Sequence, residues 1–295
     1  MELMITTLSQ QVISGIAIGS IYALIALSFS LTVRALNVIH FAQGEFFMLG
    51  AFGAITCYML LGLPFWLAII VTTVVVAALG IALQWVFYNK LWKSHHVFLL
   101  MSTQGTAIAL ANGAMLIWGP DAWRFPKIFS ENVYKIGGLT VPEEMLWISF
   151  FAILIMAVFS IFLYKTKYGR GFRAAAQDRE TAQIMGVNLA VADSFVFGAS
   201  AGLGAIGGLL IAPILFITPY IGPIFTIKGF TAAILGGLGS IQGAIFGGFL
   251  LGIIENIVTF WISSTYKDAI VFLILILVLL IKPSGLLQKK TVEKV

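Results

Sequence analysis

The uncharged stretch MLWISFFAILIMAVFSIFLY, from Met145 to Tyr164, decides the fold class of this chain. It holds 20 residues, and a helix of about 20 predominantly apolar residues crosses the hydrocarbon core of a bilayer. Across all 295 residues, 60% are hydrophobic and only 10% are charged, whereas about a quarter of the residues of a soluble globular domain carry charge. The sequence therefore predicts an all-α fold, a polytopic transmembrane helical bundle.

Charged residues are sparse along the rest of the chain, and the gaps between them place the other membrane segments. The predicted spans lie near residues 10–33, 46–61, 65–88, 97–118, 145–164, 193–217, 226–241, 243–262 and 268–282. The glycine-rich stretch 236–248 is compatible with a turn or with a re-entrant segment, which leaves eight or nine spans. Residues 1–295 are treated as one transmembrane domain that contains a loop at 165–190.

Basic residues indicate which ends of the spans face the cytoplasm, because cytoplasmic loops are enriched in Lys and Arg. The two basic groups are Lys165, Lys167, Arg170, Arg173 and Arg179 in the loop, and Lys282, Lys289, Lys290 and Lys294 in the tail. We expect both groups, and hence the C-terminus, to be cytoplasmic. The net charge of +5 is explained by these segments, so no nucleic-acid partner is expected.

Several kinds of chemistry are excluded by residues that the sequence lacks. Cys57 is the only cysteine, so no internal disulfide forms, and the three histidines, His40, His95 and His96, are too few and too scattered for a metal site. The sequence contains no Gly-Lys dipeptide, which a phosphate-binding P-loop requires. We therefore expect no enzyme, no metal and no cofactor.

Small residues recur at every fourth position in several spans. The series are Gly15, Gly19 and Ala23; Gly198 and Gly202; Gly204 and Gly208; and Gly239, Gly243 and Gly247. Small residues at this spacing let membrane helices approach closely. The primary interpretation for each glycine is structural packing, and the alternative is a smooth surface along which helices slide during transport.

Polar residues within the apolar segments are candidates for a solute pathway, since such groups are costly in lipid. The candidates are Tyr22, Asn37, His40, Gln43, Glu45, Gln104, Asn112, Glu255 and Asn256. The stretch around His40 either lines a cavity at membrane depth or forms a short cytoplasmic turn. Glu255 either partners a cation along a pathway or makes a structural contact between helices.

The loop after Tyr164 predicts a cytoplasmic helix. Residues 172–185 are rich in helix formers, and Gly186 is well placed as the residue that ends the helix. Apolar side chains lie on more than one side of this helix. We expect the membrane bundle to cover one side, and either a partner protein or the lipid surface to cover the other.

The same loop resembles the coupling segment of permeases from ABC importers. The matching residues are Arg173, Ala174, Ala176, Asp178, Ala182, Gly186, Val187 and Asn188. Further similarity covers Gly19–Ala26, Ala42–Ala51 and Lys228–Gly248, with His40 at a position where the family commonly has Asn. The chain resembles the LivH-type permease subunit of branched-chain amino-acid importers.

This resemblance implies a permease of the bacterial plasma (inner) membrane that forms half of a translocation pathway for hydrophobic amino acids. The implied partners are a second permease of the LivM type, two cytoplasmic ATPase subunits and an extracytoplasmic solute-binding protein. The resemblance also assigns ATPase coupling to the matched loop residues and to Arg179.

Two alternative functions remain open at this point. One is an importer of the same class that carries urea, amides or another small polar solute. The other is an ion-coupled secondary transporter, for which Glu45 and Glu255 are the only candidate ion-binding residues. An intramembrane metalloprotease ranks far behind, because the sequence lacks a His-Glu-x-x-His motif.

Overall fold

The computed structural model describes residues 2–91, 95–126, 128, 132–136, 139–262 and 264–287. Almost all of this part of the chain is helical. The helices are α1 Glu2–Leu36, α2 Gln43–Ala54, α3 Phe65–Leu83, α4 Asn89–Leu91, α5 His96–Trp118, α6 Glu143–Lys165, α7 Lys167–Gln177, α8 Arg179–Ile184, α9 Leu189–Ile211, α10 Ile221–Gly236, α11 Ile241–Trp261 and α12 Lys267–Ile281. Lys289, Lys290 and Lys294, which the sequence analysis placed in a cytoplasmic tail, lie outside the described residues.

Six helical segments of the described chain are long and apolar enough to cross a membrane. They are Thr6–Leu36, Phe65–Leu91, Val97–Trp118, Glu143–Lys165, Leu189–Ile211 and Ile241–Trp261. Helix α10 is apolar but shorter. The protein is therefore a multi-pass, helical membrane protein, as its composition predicts.

Each of the nine predicted segments overlaps an apolar helix, although some boundaries differ. The predicted segment 193–217 corresponds to α9, which ends at Ile211 because Pro213 follows and proline cannot continue a helix. The predicted segment 226–241 corresponds to α10, which begins five residues earlier, at Ile221, and ends at Gly236. Gly237 follows with a φ of 111°, a backbone conformation suited to glycine.

The sequence analysis did not predict a small β-hairpin, which lies between α5 and α6. Strands β1 Val133–Ile136 and β2 Leu139–Pro142 pair antiparallel. The side chain of Gln10, near the start of α1, hydrogen-bonds to the backbone of Thr140. The hairpin therefore lies at the same end of the bundle as the start of α1.

The centre of the bundle consists of helices in backbone contact. A Cβ atom added at Gly248 or Gly252 of α11 would overlap the backbone of Ala23 or Gly19 of α1, respectively. An added Cβ at Gly208 of α9 would likewise overlap the Phe47 carbonyl of α2. Gly19 and Gly208 of the predicted series thus lie on true contact surfaces, where only a missing side chain allows this approach, whereas Gly202 and Gly239 make only ordinary or looser contacts.

Several basic segments meet at the other end of the bundle, which we call the basic end. Arg34 of α1, Arg173 of α7 and Ile241 at the start of α11 line one small cavity there. The backbone N–H of Leu286, after α12, donates to the Leu235 carbonyl of α10 at 2.9 Å. The basic end therefore collects Arg34, the loop after α6 and the segment after α12, as the predicted sidedness requires.

Candidate functional site

The segment Thr166–Asn188 joins α6 to α9 at the basic end, and we call it the coupling loop after the permease segment that its sequence resembles. The Thr166 hydroxyl accepts a hydrogen bond from the Gly169 backbone N–H at 3.0 Å and so caps α7. Gly169 packs against the carbonyl oxygens of Phe162 and Leu163, where a Cβ atom would overlap the backbone. Helix α7 therefore turns tightly back against the end of α6.

The predicted single helix over residues 172–185 is wrong. The structure has two helices, which meet at Asp178, where the backbone is extended (φ −153°, ψ 109°). The Asp178 carboxylate accepts hydrogen bonds from the backbone N–H and the hydroxyl of Thr181, at 3.0 and 2.6 Å. An aspartate that caps the next helix in this way competes with continuation of the first. The same bonds hold the pKa of Asp178 below its ordinary value.

The end of the coupling loop follows the prediction. Gly186 has a φ of +87°, the left-handed conformation expected of the residue that follows a helix C-terminus. The Asn188 side chain then accepts a hydrogen bond from the Val191 N–H at 3.2 Å and caps α9. These two residues turn the chain from α8 into the membrane helix α9.

An ion pair fixes α8 against α9. The Arg179 guanidinium donates two hydrogen bonds to the Asp193 carboxylate, at 3.0 and 2.7 Å. The Arg179 and Asp193 side chains are 29% and 12% exposed, respectively. Ala182 packs beside this pair in a small apolar cluster with Ala175 and Ala192. The ion pair and this cluster therefore attach α8 to the start of α9.

Helix α7 is anchored by aromatic contacts. The Phe172 ring stacks on the Phe195 ring of α9, with centroids 4.1 Å apart. The Arg173 guanidinium lies 5.0 Å from the centre of the Tyr164 ring, within the range of a cation–π contact. Ala176 is half-buried beside Arg173, whereas Ala174 is exposed.

The tip of the coupling loop is apolar and exposed. Ile184 is 84% exposed and Met185 is 79% exposed. Both lie at the end of α8, next to the left-handed Gly186. Single exposed apolar residues are common, and here two adjacent ones form a small exposed apolar patch.

The candidate residues around His40 lie inside the bundle. Asn37 ends α1 with a φ of 52°, and the chain then runs without helix to α2. His40 Nε2 lies 3.0 Å from the Tyr88 hydroxyl, and Gln43 Nε2 donates to the Ser200 hydroxyl at 3.3 Å. Glu45 packs against Gly222 at the start of α10.

The segment around His40 is surrounded by other helices. Its partner Ser200 is the twelfth residue of α9, about 16 Å along that helix. His40, Gln43 and Glu45 are all buried. Residues 37–45, which we call the helix break, are therefore enclosed by other helices of the bundle, and both interpretations of this stretch stay predictions.

Three polar atoms of this break have no hydrogen-bond partner among the described residues. They are His40 Nδ1, Gln43 Oε1 and Glu45 Oε2. Leaving a buried polar atom without a partner costs about 1–3 kcal/mol. Such atoms therefore indicate either a bound water or a change of partner in another conformation.

Glu255 is at the centre of an ion network in the membrane. Its carboxylate lies 2.7 Å from the Lys228 ammonium of α10 and 3.4 Å from the Lys267 ammonium of α12. Lys228 also contacts the Asp268 carboxylate at 3.0 Å and lies 5.7 Å from the centre of the Tyr22 ring. The sequence analysis did not pair Lys228 with Glu255, although Lys228 is a cation within an apolar run.

The remaining candidate residues are not part of either cluster. Asn256 donates to the Gly252 carbonyl of its own helix at 2.8 Å. Gln104 and Asn112 lie on an exposed face of α5. The structure thus separates the candidates into a helix break, an ion network and an exposed polar pair on α5.

Comparison with known proteins identifies the relatives of this chain. A family profile described as branched-chain amino acid transport system / permease component matches residues 11–279. The high-affinity branched-chain amino acid transport system permease protein LivH of Escherichia coli (strain K12) is 36% identical, over 97% of both chains. The corresponding protein BraD of Pseudomonas aeruginosa is 35% identical, also over 97% of both.

A solved structure shares the fold. In PsaBC from Streptococcus pneumoniae in complex with Fab, one chain superposes with a TM-score of 0.52 and 13% identity, covering 94% of this chain and 92% of that one. At this identity the likeness supports the fold alone. The profile match and the identity to curated permeases along nearly the whole chain show that this protein belongs to the family of permease components of branched-chain amino acid transport systems.

Proposed function

We propose that this permease forms half of the translocation pathway of an ATP-driven importer for branched-chain or other hydrophobic amino acids. Its relatives in Escherichia coli and Pseudomonas aeruginosa are named as high-affinity branched-chain amino acid permeases. The observation that carries the mechanism is the coupling loop, which is clamped to α6 and α9 and presents an apolar tip. A second permease, two ATPase subunits and an extracytoplasmic binding protein complete the importer.

The proposed topology has nine crossings, with an external N-terminus and a cytoplasmic C-terminus. Six segments have sufficient length. Helix α2 and the π-helical turn that continues it, 12 and 6 residues long, would together span about 27 Å. Helices α10 and α12, of 16 and 15 residues, are shorter but apolar. In this topology the basic end faces the cytoplasm of a bacterial inner membrane.

The proposed mechanism uses the coupling loop as a lever. ATPase subunits would bind the tip at Ile184 and Met185. Their closure on ATP would push α8, and the Arg179–Asp193 pair would carry this movement into α9. The tight packing of Gly169 on the end of α6 would move α6 with it. Rigid-body movement of packed helices is an established mode of switching between conformations.

The ion network argues against Glu255 as the ion-binding carboxylate of a secondary transporter, and Glu45 is then the remaining candidate for that alternative. Such a transporter needs an intramembrane carboxylate that is available to the coupling ion. Glu255 is instead paired with Lys228 at 2.7 Å. A substrate assay decides whether the cargo is instead urea, amides or another small polar solute, because the binding protein would select the solute.

The central test is uptake of labelled leucine into vesicles that contain both permeases, with the binding protein and ATP supplied. We expect uptake only when both ATPase subunits are present and ATP is hydrolysed. Urea is tested in parallel as a competitor and as a substrate. Accumulation driven by an ion gradient without the ATPases would overturn the proposal.

The lever is tested with Ile184→Glu and Met185→Glu. A charge at the apolar tip should reduce co-purification of the ATPase subunits and abolish uptake. The matched control is Val133→Glu, a substitution of a 47% exposed apolar residue in the hairpin at the opposite end. Undiminished ATPase binding by both tip variants would refute the proposed contact.

A further inference from the structure

Helix α5 differs from the other candidate spans in its composition. Its mean hydropathy is 1.2, whereas the other five candidate spans range from 1.7 to 2.7. Only 28% of the most apolar 18-residue stretch of this helix is buried within the chain. A peripheral membrane helix is expected to be more apolar than its neighbours, because lipid contacts its exposed face.

One face of α5 packs against other parts of the chain. Thr103 accepts a hydrogen bond from the Phe41 backbone N–H at 3.4 Å, and Thr106 accepts one from the Tyr88 hydroxyl at 2.9 Å. Ala107 and Ala114 are buried on the same side. This face attaches α5 to the helix break and to Tyr88.

The opposite face is exposed and carries two amide side chains. Gln104, Ile108 and Asn112 follow one another at intervals of four residues and so share a side of the helix. The Gln104 side chain makes no hydrogen bond to any described residue, although its amide can make up to four. Asn112 Nδ2 donates to the Ile108 carbonyl of its own helix at 2.8 Å, which leaves the side-chain oxygen free to accept from elsewhere.

Two other peripheral helices show what a lipid-facing surface of this protein looks like. Helices α3 and α6 belong to spans whose most apolar stretches are each only 22% buried within the chain. The mean hydropathies of these spans are 2.6 and 2.7, respectively. Over their middle parts the exposed side chains are apolar, for example Val74 at 61%, Leu154 at 45% and Val158 at 58%. The exposed face of α5 differs from these surfaces in its two amides, which lie among the exposed apolar side chains of Met101, Ile108 and Leu116.

We propose that the exposed face of α5 around Gln104 and Asn112 lines the aqueous solute pathway, opposite the second permease subunit. Water or a polar solute supplies there the hydrogen bonds that lipid cannot. An amide group both donates and accepts. It therefore suits the ammonium and carboxylate groups of a zwitterionic amino acid. This assignment rests on the proposed function and specifies which surface of the chain performs it.

The first test measures whether water reaches this face. Cysteine is introduced as Gly105→Cys in the complete importer, in a Cys57→Ala background. The Cβ position at Gly105 has no neighbour within 4 Å. The control is Leu154→Cys, in the middle of α6. With a charged, membrane-impermeant methanethiosulfonate, we expect Gly105→Cys to react at least tenfold faster than Leu154→Cys. Equal, slow rates would overturn the proposal, because both positions would then face lipid.

The second test measures solute recognition. Gln104→Leu and Asn112→Leu should each lower kcat/KM for leucine uptake at least fivefold, whereas Ile108→Leu on the same face should not. ATPase co-purification should remain unchanged in all three variants. Unaltered uptake by both amide variants would show that these side chains do not contact the solute.

The labelling readout does not depend on the cargo or on ATP. Failure of leucine uptake with fast labelling of Gly105→Cys would therefore refute the proposed function alone. Slow labelling in an importer that takes up leucine would refute the α5 assignment alone.

Discussion

Two ion pairs of this protein fix helices in different surroundings. Lys228 and Glu255 lie inside the membrane bundle, with side chains 8% and 0% exposed. Arg179 of the coupling loop and Asp193 of α9 are 29% and 12% exposed. The first pair is joined by Lys267 and Asp268, so two cations and two anions compensate one another. The second pair is bidentate.

This difference indicates two roles for charge in one chain. A buried charge that loses its partner remains in a medium of low dielectric and is strongly destabilising. Water partly replaces a lost partner at the surface, so the same loss there costs much less. The network among the membrane helices thus connects α10, α11 and α12, whereas the loop pair attaches α8 to α9.

Removal of Lys228 should have the largest effect. Lys228→Met leaves Glu255 with only the more distant Lys267, and we expect a loss of about 3–5 kcal/mol, as for breaking a buried pair. Folded yield and thermal unfolding in detergent are the measurements. Lys267→Met, at a position whose side chain is 33% exposed, is the control and should cost less.

A double replacement sharpens this prediction. Lys228→Met with Glu255→Gln removes both charges and should recover much of the lost stability. If Lys228→Met were no more destabilising than Lys267→Met, the network would not have the structural role assigned to it.

Gly169→Ala should have the next largest effect, because the new methyl group would overlap the backbone carbonyls at the end of α6. Overpacking of this kind typically costs about 1–3 kcal/mol. We expect ATP hydrolysis that no longer drives uptake, measured with both assays on the same vesicles. Gly171→Ala is a matched control, since its nearest neighbour is a Val187 methyl group at 3.9 Å. Equal behaviour of the two variants would contradict the tight junction of α6 and α7.

The loop pair should give a smaller value. A double-mutant cycle with Arg179→Ala and Asp193→Ala should yield a coupling energy of about 1 kcal/mol in thermal unfolding, because water screens a partly exposed pair. Both single variants should nevertheless impair uptake, since α8 loses its attachment to α9. A coupling energy equal to the loss caused by Lys228→Met would remove the contrast between the two pairs.

The Asp178 cap should have the smallest effect and a defined dependence on pH. Hydrogen bonds from Thr181 lower the pKa of Asp178 from its ordinary value of 3.8. The cap therefore stabilises α8 fully when the pH is above the ordinary pKa. This stabilisation is lost only as the pH falls through the lower pKa of the folded state. Between pH 5 and 8 Asp178 stays ionised. We therefore expect the Thr181 amide to stay protected from hydrogen exchange throughout this range. The same protection in Asp178→Ala would show that the cap does not hold α8.

Local sequence signals were sufficient for much of the coupling loop. Gly186 and Asn188 act within a few residues of their own positions, so their roles as helix terminator and helix cap are readable from the chain. The break at Asp178 was missed because helix propensity favours continuation through residues 172–185, whereas the side-chain cap on Thr181 favours a new start. Both signals are local, and the structure shows that the cap prevails.

Contacts between distant residues were beyond the reach of sequence reasoning. Lys228 and Glu255 are 27 positions apart, and no periodicity links them. Gln43 and Ser200 are 157 positions apart, so the burial of the helix break could not be derived from residues 37–45. The coupling roles and the pathway residues remain predictions for the experiments above.

The sequence by itself determined that this chain is a helical membrane protein, which segments are apolar, which loops are basic and where small residues recur. Those properties follow from composition and from helical periodicity, which act over one or a few turns. Only the tertiary structure decided that Glu255 is paired, that His40 is buried and that α5 exposes its amides. Each of these depends on which helices become neighbours, and neighbours are selected by the packing of whole surfaces.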